Sequence, residues 1–272
     1  MKHLIQTVKK NSPILFGIVI IHLVFALVSI VGLIVDDRTL MGVNVWIKPL
    51  KFCISGGIYI FTVGYYTTLY PFSNRKRNII NNLVSWSLFF EIGIIVMQGA
   101  RGVQSHYNQS SLLDGLLFAA MGILILLNVI IMFWLVIETL RLKMKVDKTI
   151  QWAILFGWII MIVGSFVGKA MIDQLSHNVG VADGGEGLPL VNWSTVAGDL
   201  RVAHFFGLHG LQLIPLFAYA LYKKTQMSLK GRLILVTIFT FLYAFFIGFI
   251  GKSYLSDAAK ETNERFNAIL KS

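Results

Sequence analysis

Seven stretches of apolar residues, at about 13–34, 47–70, 78–98, 112–138, 149–172, 201–222 and 231–251, are each long enough to cross a bilayer, which takes roughly 20 helical residues. Lipid offers the backbone no water to bond, so such a segment has to close its hydrogen bonds on itself as a helix. The expected fold class is all-α: a polytopic membrane helix bundle of seven transmembrane helices in a single domain over 1–272. With 56% of residues hydrophobic and 14% charged, little is left for a soluble domain, and the lipid bilayer is the first expected partner.

The net charge of +11 would suggest nucleic acid in a soluble protein, but its placement argues otherwise and no nucleic-acid partner is expected. The N-terminal flank and the connections "PFSNRKRN", "RLKMKVDK" and "YKKTQMSLKG" alternate with outer segments in which acidic and basic residues balance. This positive-inside pattern predicts a cytoplasmic N-terminus and an outer C-terminus. The start "MKHLIQTVKK" has the basic flank of a signal sequence. The apolar run after it is too long for one and lacks an A-x-A-like site, so it is expected to be an uncleaved first span. Cys53, the only cysteine, lies within a span and can form no intrachain disulfide.

The connections on the predicted outer side carry the unusual residues. The stretch 173–200 is Gly-rich and longer than a connector needs to be, which predicts a functional lid or a flexible segment. Its "DGGEG" lacks the spacing of a calcium loop and predicts a flexible turn. Ser111 and Asp114 form a capping-box pattern before span four. Gly164 and Gly168 would permit close helix contact, and "GSFVGKAMID" in span five resembles "GFIGKSYLSD" in span seven, as an internal duplication would leave it. The polar tail after span seven predicts a short exposed helix.

Ionisable residues inside spans are functional-site candidates by default. Glu91, Gln98 and Arg101 form a polar stripe on span three. Span six opens with "GDLRVAHFFGLHGLQ", which supplies Asp199, Arg201, His204, His209 and Gln212. His204 and His209 point about 140° apart on a helix and therefore face different partners. Counted from the outer helix ends, Glu91 and His209 fall at roughly 10 and 12 Å, and His22 and Gln212 at roughly 17 Å. Gln98, Arg101, Lys169 and His204 lie within about one turn of the surface, and His106 lies in the loop beside them. Lys169 and Asp173 have the spacing of a helix-end ion pair.

The segments "WIKPLKF" (46–52), "QGARGVQSHYN" (98–108) and "GLPLVNWSTVAGDLRVAHFFGLHGLQ" (187–212) resemble the hallmark segments of a family of uncharacterised multi-pass bacterial membrane proteins. The resemblance runs from about residue 44 to 212. It implies a bacterial cell (inner) membrane location and no particular chemistry.

Four readings of the polar residues stay open. They could satisfy one another: a Glu91–His209 hydrogen bond, Arg101 and Arg201 pairing with Asp173 or Asp199, and loops pinned by Trp193. They could form an outer-side pocket for haem- or quinone-linked redox chemistry, the preferred expectation, in which His204 or His209 with His22 or His106 supplies axial ligands and Arg or Lys binds propionates. Zinc would draw on His106, His204 or His209 and a carboxylate, although no H-x-x-x-H or H-x-H occurs. A proton-coupled transporter or sensor of a small anion would use Glu91 and His209 as the relay, with Arg101, Arg201 and Lys169 receiving the anion. Lys252 in span seven resembles the attachment lysine of retinal proteins but falls at the helix end rather than at mid-membrane.

Overall fold

Each predicted span becomes a helix in the computed structural model, which describes the backbone of residues 2–269 and the side chains of residues 2–251. A short amphipathic helix, α1 (Lys2–Asn11), precedes α2 (Pro13–Val35), α3 (Ile47–Leu69), α4 (Asn74–Arg101), α5 (Leu112–Arg141), α6 (Lys148–Asp173), α7 (Leu200–Lys224) and α8 (Leu229–Ile269). Seven of these helices are long and apolar enough to span a membrane, α8 through its Leu229–Gly251 part. The fold is thus all-α and that of a multi-pass membrane protein. Large apolar side chains such as Leu27, Leu126, Leu216 and Phe245 face outward, as lipid rather than water as the solvent requires. Lys252 and the surface of the polar tail lie outside the residues whose side chains are described.

The contacts fall into two compact units, 1–146 and 147–272.

In the first unit, α3 packs against α2 and α4, α4 packs against α5, and α1 lies against α2 and α3. The core is Leu15, Ile18, Ile60, Val63, Ile92 and Ile95. Ser73 caps α4 by accepting from the Lys76 amide at 3.2 Å, which starts that helix before its apolar run. The basic "RKRN" is therefore helical rather than a loop. At the opposite end, Gly102 takes a left-handed φ of +72° and stops α4 at Arg101, three residues beyond the expected span. The α2–α3 connection is a hairpin of β1 (Thr39–Leu40) and β2 (Val43–Asn44). Its two turn residues, Met41 and Gly42, both have positive φ, as a tight hairpin turn of two residues demands.

In the second unit, α6 and α7 form the main contact and α8 packs on both. Ala153, Ile160, Ala203, Ile214, Val236 and Ile247 make its core. A Cβ on Gly164 would stand 2.7 Å from the Gly207 carbonyl carbon, so these two backbones touch. Among the described residues, Gly248 and Gly251 of the similar α8 segment have no such contact; nothing lies within 4 Å of a Cβ on the first, and only the Ala203 Cβ, at 4.0 Å, approaches the second. The two look-alike endings therefore do different work. Arg232 joins the start of α8 to that of α6 through Asp147 at 3.2 Å. The long loop is not structureless. Its ends pair as β3 (Asn178–Val179) and β4 (Gly198–Asp199), and Gly187 bridges Ser194 within it.

Candidate functional site

Within the first unit, the polar residues separate into a layer at the helix ends and a deeper group. At the end layer, Asp114 gathers four side-chain donors: Gln98 Nε2 at 2.8 Å, Arg101 Nη1 at 2.7 Å, Ser111 Oγ at 2.7 Å and Ser110 Oγ at 3.4 Å. The expected capping box is present, since the Asp114 amide donates to Ser111 Oγ at 3.1 Å. Asp114, rather than Asp173 or Asp199, is therefore the partner of Arg101. The turn between α4 and α5 brings residue 114 back over residue 101, a closure that helical spacing cannot show. Beside it, Asp36 accepts from Arg38 at 2.6 Å and from the Trp46 indole at 2.8 Å. The Arg38 guanidinium, helped by Trp46, holds the Asp36 carboxyl well below the usual carboxylate range. His106 lies among Phe52, Tyr107 and Phe118, its Nδ1 3.1 Å from Ser105 Oγ.

The deeper group comes from three helices. Glu91 lies ten residues from the Arg101 end of α4, roughly 15 Å along the axis and so deeper than the expected span end implied. Tyr59 of α3 and His22 of α2 lie at roughly 18 and 20 Å from the same ends of their helices, close to half of a hydrocarbon core about 30 Å thick. All three are buried, at 4%, 8% and 0% exposure. Glu91 Oε2 and the Tyr59 hydroxyl are each without a hydrogen-bond partner among the described residues. Glu91 is near enough to act electrostatically on Tyr59, and the His22 ring faces the Leu88 carbonyl one turn from Glu91. His22 Nδ1 lies 2.8 Å from the Ile18 carbonyl, which can only accept, so Nδ1 carries the hydrogen. The side of α3 facing His22 is glycine, Gly56 and Gly57, and Ile92 fills the space a side chain on Gly56 would need.

The second unit holds the residues of the span-six stretch. Asp199 caps α7 by accepting from the Arg201 amide at 2.9 Å, and it also takes the Arg201 guanidinium at 2.5 Å and the Ser194 amide at 2.9 Å. Arg201 reaches on to the Asn192 carbonyl, which ties the loop to the helix. Trp193 lies against Phe205 and Phe206, as the pinning role predicts. Lys169 and Asp173 form their expected pair at 2.6 Å. His204 Nδ1 lies 2.8 Å from the Gly164 carbonyl, with its ring against Gly168, while His209 lies beside Phe205 and hydrogen-bonds with Gln212. His177, not singled out in the sequence, is within electrostatic reach of His204, as is His209.

Glu91, Gln98, Arg101 and His106 thus belong to one unit, and Asp199, Arg201, His204, His209 and Gln212 to the other. Among the described residues, no three His, Cys, Asp or Glu side chains converge as a metal site, and this applies to His106, His204 and His209. Tyr59 escaped sequence reasoning because a tyrosine in an apolar run is ordinary.

Fold and site together define a multi-pass membrane protein with a buried polar group in its first helical unit. No family model, curated protein or solved structure matches the chain.

Proposed function

We propose that this is a protein of the bacterial cell (inner) membrane, with its N-terminus in the cytoplasm and its C-terminus outside, that takes up and releases a proton at Glu91. This is the working part of a proton-coupled transporter or sensor. The observation that carries the reading is Glu91 Oε2, buried near mid-membrane with no hydrogen-bond partner among the described residues, in a unit where the Tyr59 hydroxyl is unpartnered too. An unmatched buried polar atom costs about 1–3 kcal/mol, so an unmatched carboxylate oxygen near mid-membrane is not a means of locking helices in register. Carboxyl, imidazole and phenol are also the groups that exchange protons, and intramembrane carboxylates and histidines mark proton relays. The charges expected to receive an anion support this reading less, because Arg101, Lys169 and Arg201 are neutralised by Asp114, Asp173 and Asp199.

One observation favours the redox reading. His204 has its Nδ1 hydrogen directed at a backbone carbonyl, the arrangement that orients a metal- or haem-ligating histidine through its other nitrogen. The surroundings of His22 do not fit a macrocycle, because Ile92 occupies the space beside Gly56.

Infrared difference spectra of the reconstituted protein between acidic and alkaline pH test the proposal. A carboxyl band should appear in the wild type and vanish in Glu91→Gln, while the helical amide bands stay unchanged. A band that persists in Glu91→Gln would overturn it. A Soret band in the purified protein that is lost in His204→Ala would select the redox reading instead.

A further inference from the structure

The first unit carries a second feature, independent of Glu91. Between α4 and α5, on the outer surface of the unit, two hollows of about 300 and 450 Å³ share Ile79 and Leu83 and so form one trough. The trough runs along α4 from Ser73 to Phe90, roughly 25 Å, which exceeds the depth of one leaflet's hydrocarbon, about 15 Å. Its walls are almost wholly apolar, with Leu127 and Ile131 of α5 opposite Ile79, Leu83 and Phe90 of α4.

Only one end is charged. There Lys76 Nζ stands 4.5 Å over the Phe72 ring, 4.4 Å over the Trp134 ring and 3.3 Å from Glu138, which fixes its position. Arg141 approaches the same carboxylate at 3.7 Å, so the local charge is positive even with Glu138 ionised. Arg75 lines the same end and makes no ion pair among the described residues.

We infer that this trough is a binding site for an anionic phospholipid, one acyl chain lying along Ile79–Phe90 and the phosphate meeting Arg75 beside the Lys76–Trp134 stack. The charge pattern selects this occupant. An apolar channel longer than one leaflet and closed at one end by a free guanidinium complements a chain that ends in a phosphate, and basic pockets at the ends of transmembrane helices bind such headgroups. A zwitterionic lipid would bring its own ammonium to an end that is already cationic.

The test is native mass spectrometry of the full chain in mild detergent with equal amounts of phosphatidylglycerol and phosphatidylcholine. The wild type should retain phosphatidylglycerol in at least about fivefold preference. Arg75→Gln, at an exposed position, should bring the preference below about twofold. Leu83→Trp, which fills the trough, should lose retention of both lipids while keeping the thermal unfolding of the wild type. Millimolar inorganic phosphate should not displace the lipid. Equal retention of the two lipids, an unchanged preference in Arg75→Gln, displacement by phosphate, or a dimer that Leu83→Trp dissociates would each overturn the assignment.

Discussion

Asp183 stands in a run of glycines, yet its carboxylate accepts from the His177 amide at 2.9 Å, the Asn178 amide at 2.8 Å and His177 Nδ1 at 2.6 Å. Partial burial pushes this carboxyl up, but the hydrogen bonds from His177 and Asn178 outweigh it and bring it down to about 2. Because the folded value lies below the unfolded one of 3.8, the anchoring is complete above pH ~4 and is lost as pH falls toward ~2. The linked stability is on the order of 2 kcal/mol. Asp183→Asn should therefore speed hydrogen exchange at the 177 and 178 amides severalfold at neutral pH, with little further change on acidification. Exchange equal to the wild type would show that the turn does not depend on the charge. The flexible turn expected at "DGGEG" is thus anchored, by backbone amides five and six residues away that no spacing rule points to. The Ser111–Asp114 cap, a contact within one helical turn, was legible; the bond from Arg101 to the same carboxylate was not.

At the level of helices, the Gly164/Gly168 spacing was legible as a close-contact surface, and each glycine proves to have a specific partner. Gly164 meets Gly207, while Gly168 makes room for the His204 ring. The Gly164 carbonyl also holds His204 Nδ1, so one crossing sets both the helix spacing and the imidazole orientation. Gly164→Leu should separate α6 from α7, at an overpacking cost of about 1–3 kcal/mol, and lower the unfolding temperature in detergent by roughly 5 °C or more. Gly248→Leu, in the similar α8 segment, should leave that temperature within about 1 °C, because no described residue stands near its Cβ position. Equal losses in the two variants would sink the distinction. The segment "WIKPLKF" has a packing role of the same kind, since Trp46 covers Gly32 and Pro49 lies 2.6 Å from the Cβ position of Gly99.

Across the whole molecule, the proposed orientation makes a direct prediction. A cysteine at the exposed positions Lys145 or Lys223 should stay unlabelled by a membrane-impermeant maleimide in intact cells, and one at Glu186 should label, in a background with Cys53 replaced. The reverse pattern would invert the topology. The sequence alone determined the helical class, the number of spans and most of their boundaries, because hydropathy and helix length act locally along the chain and lipid leaves the backbone no other solution. Only the tertiary structure decided that the contacts form two units, that Arg101 bonds Asp114, and that Glu91 and Tyr59 come to similar depths with unpartnered atoms. Those facts depend on which helices pack together and on which face, and that is set by contacts between residues far apart in the chain.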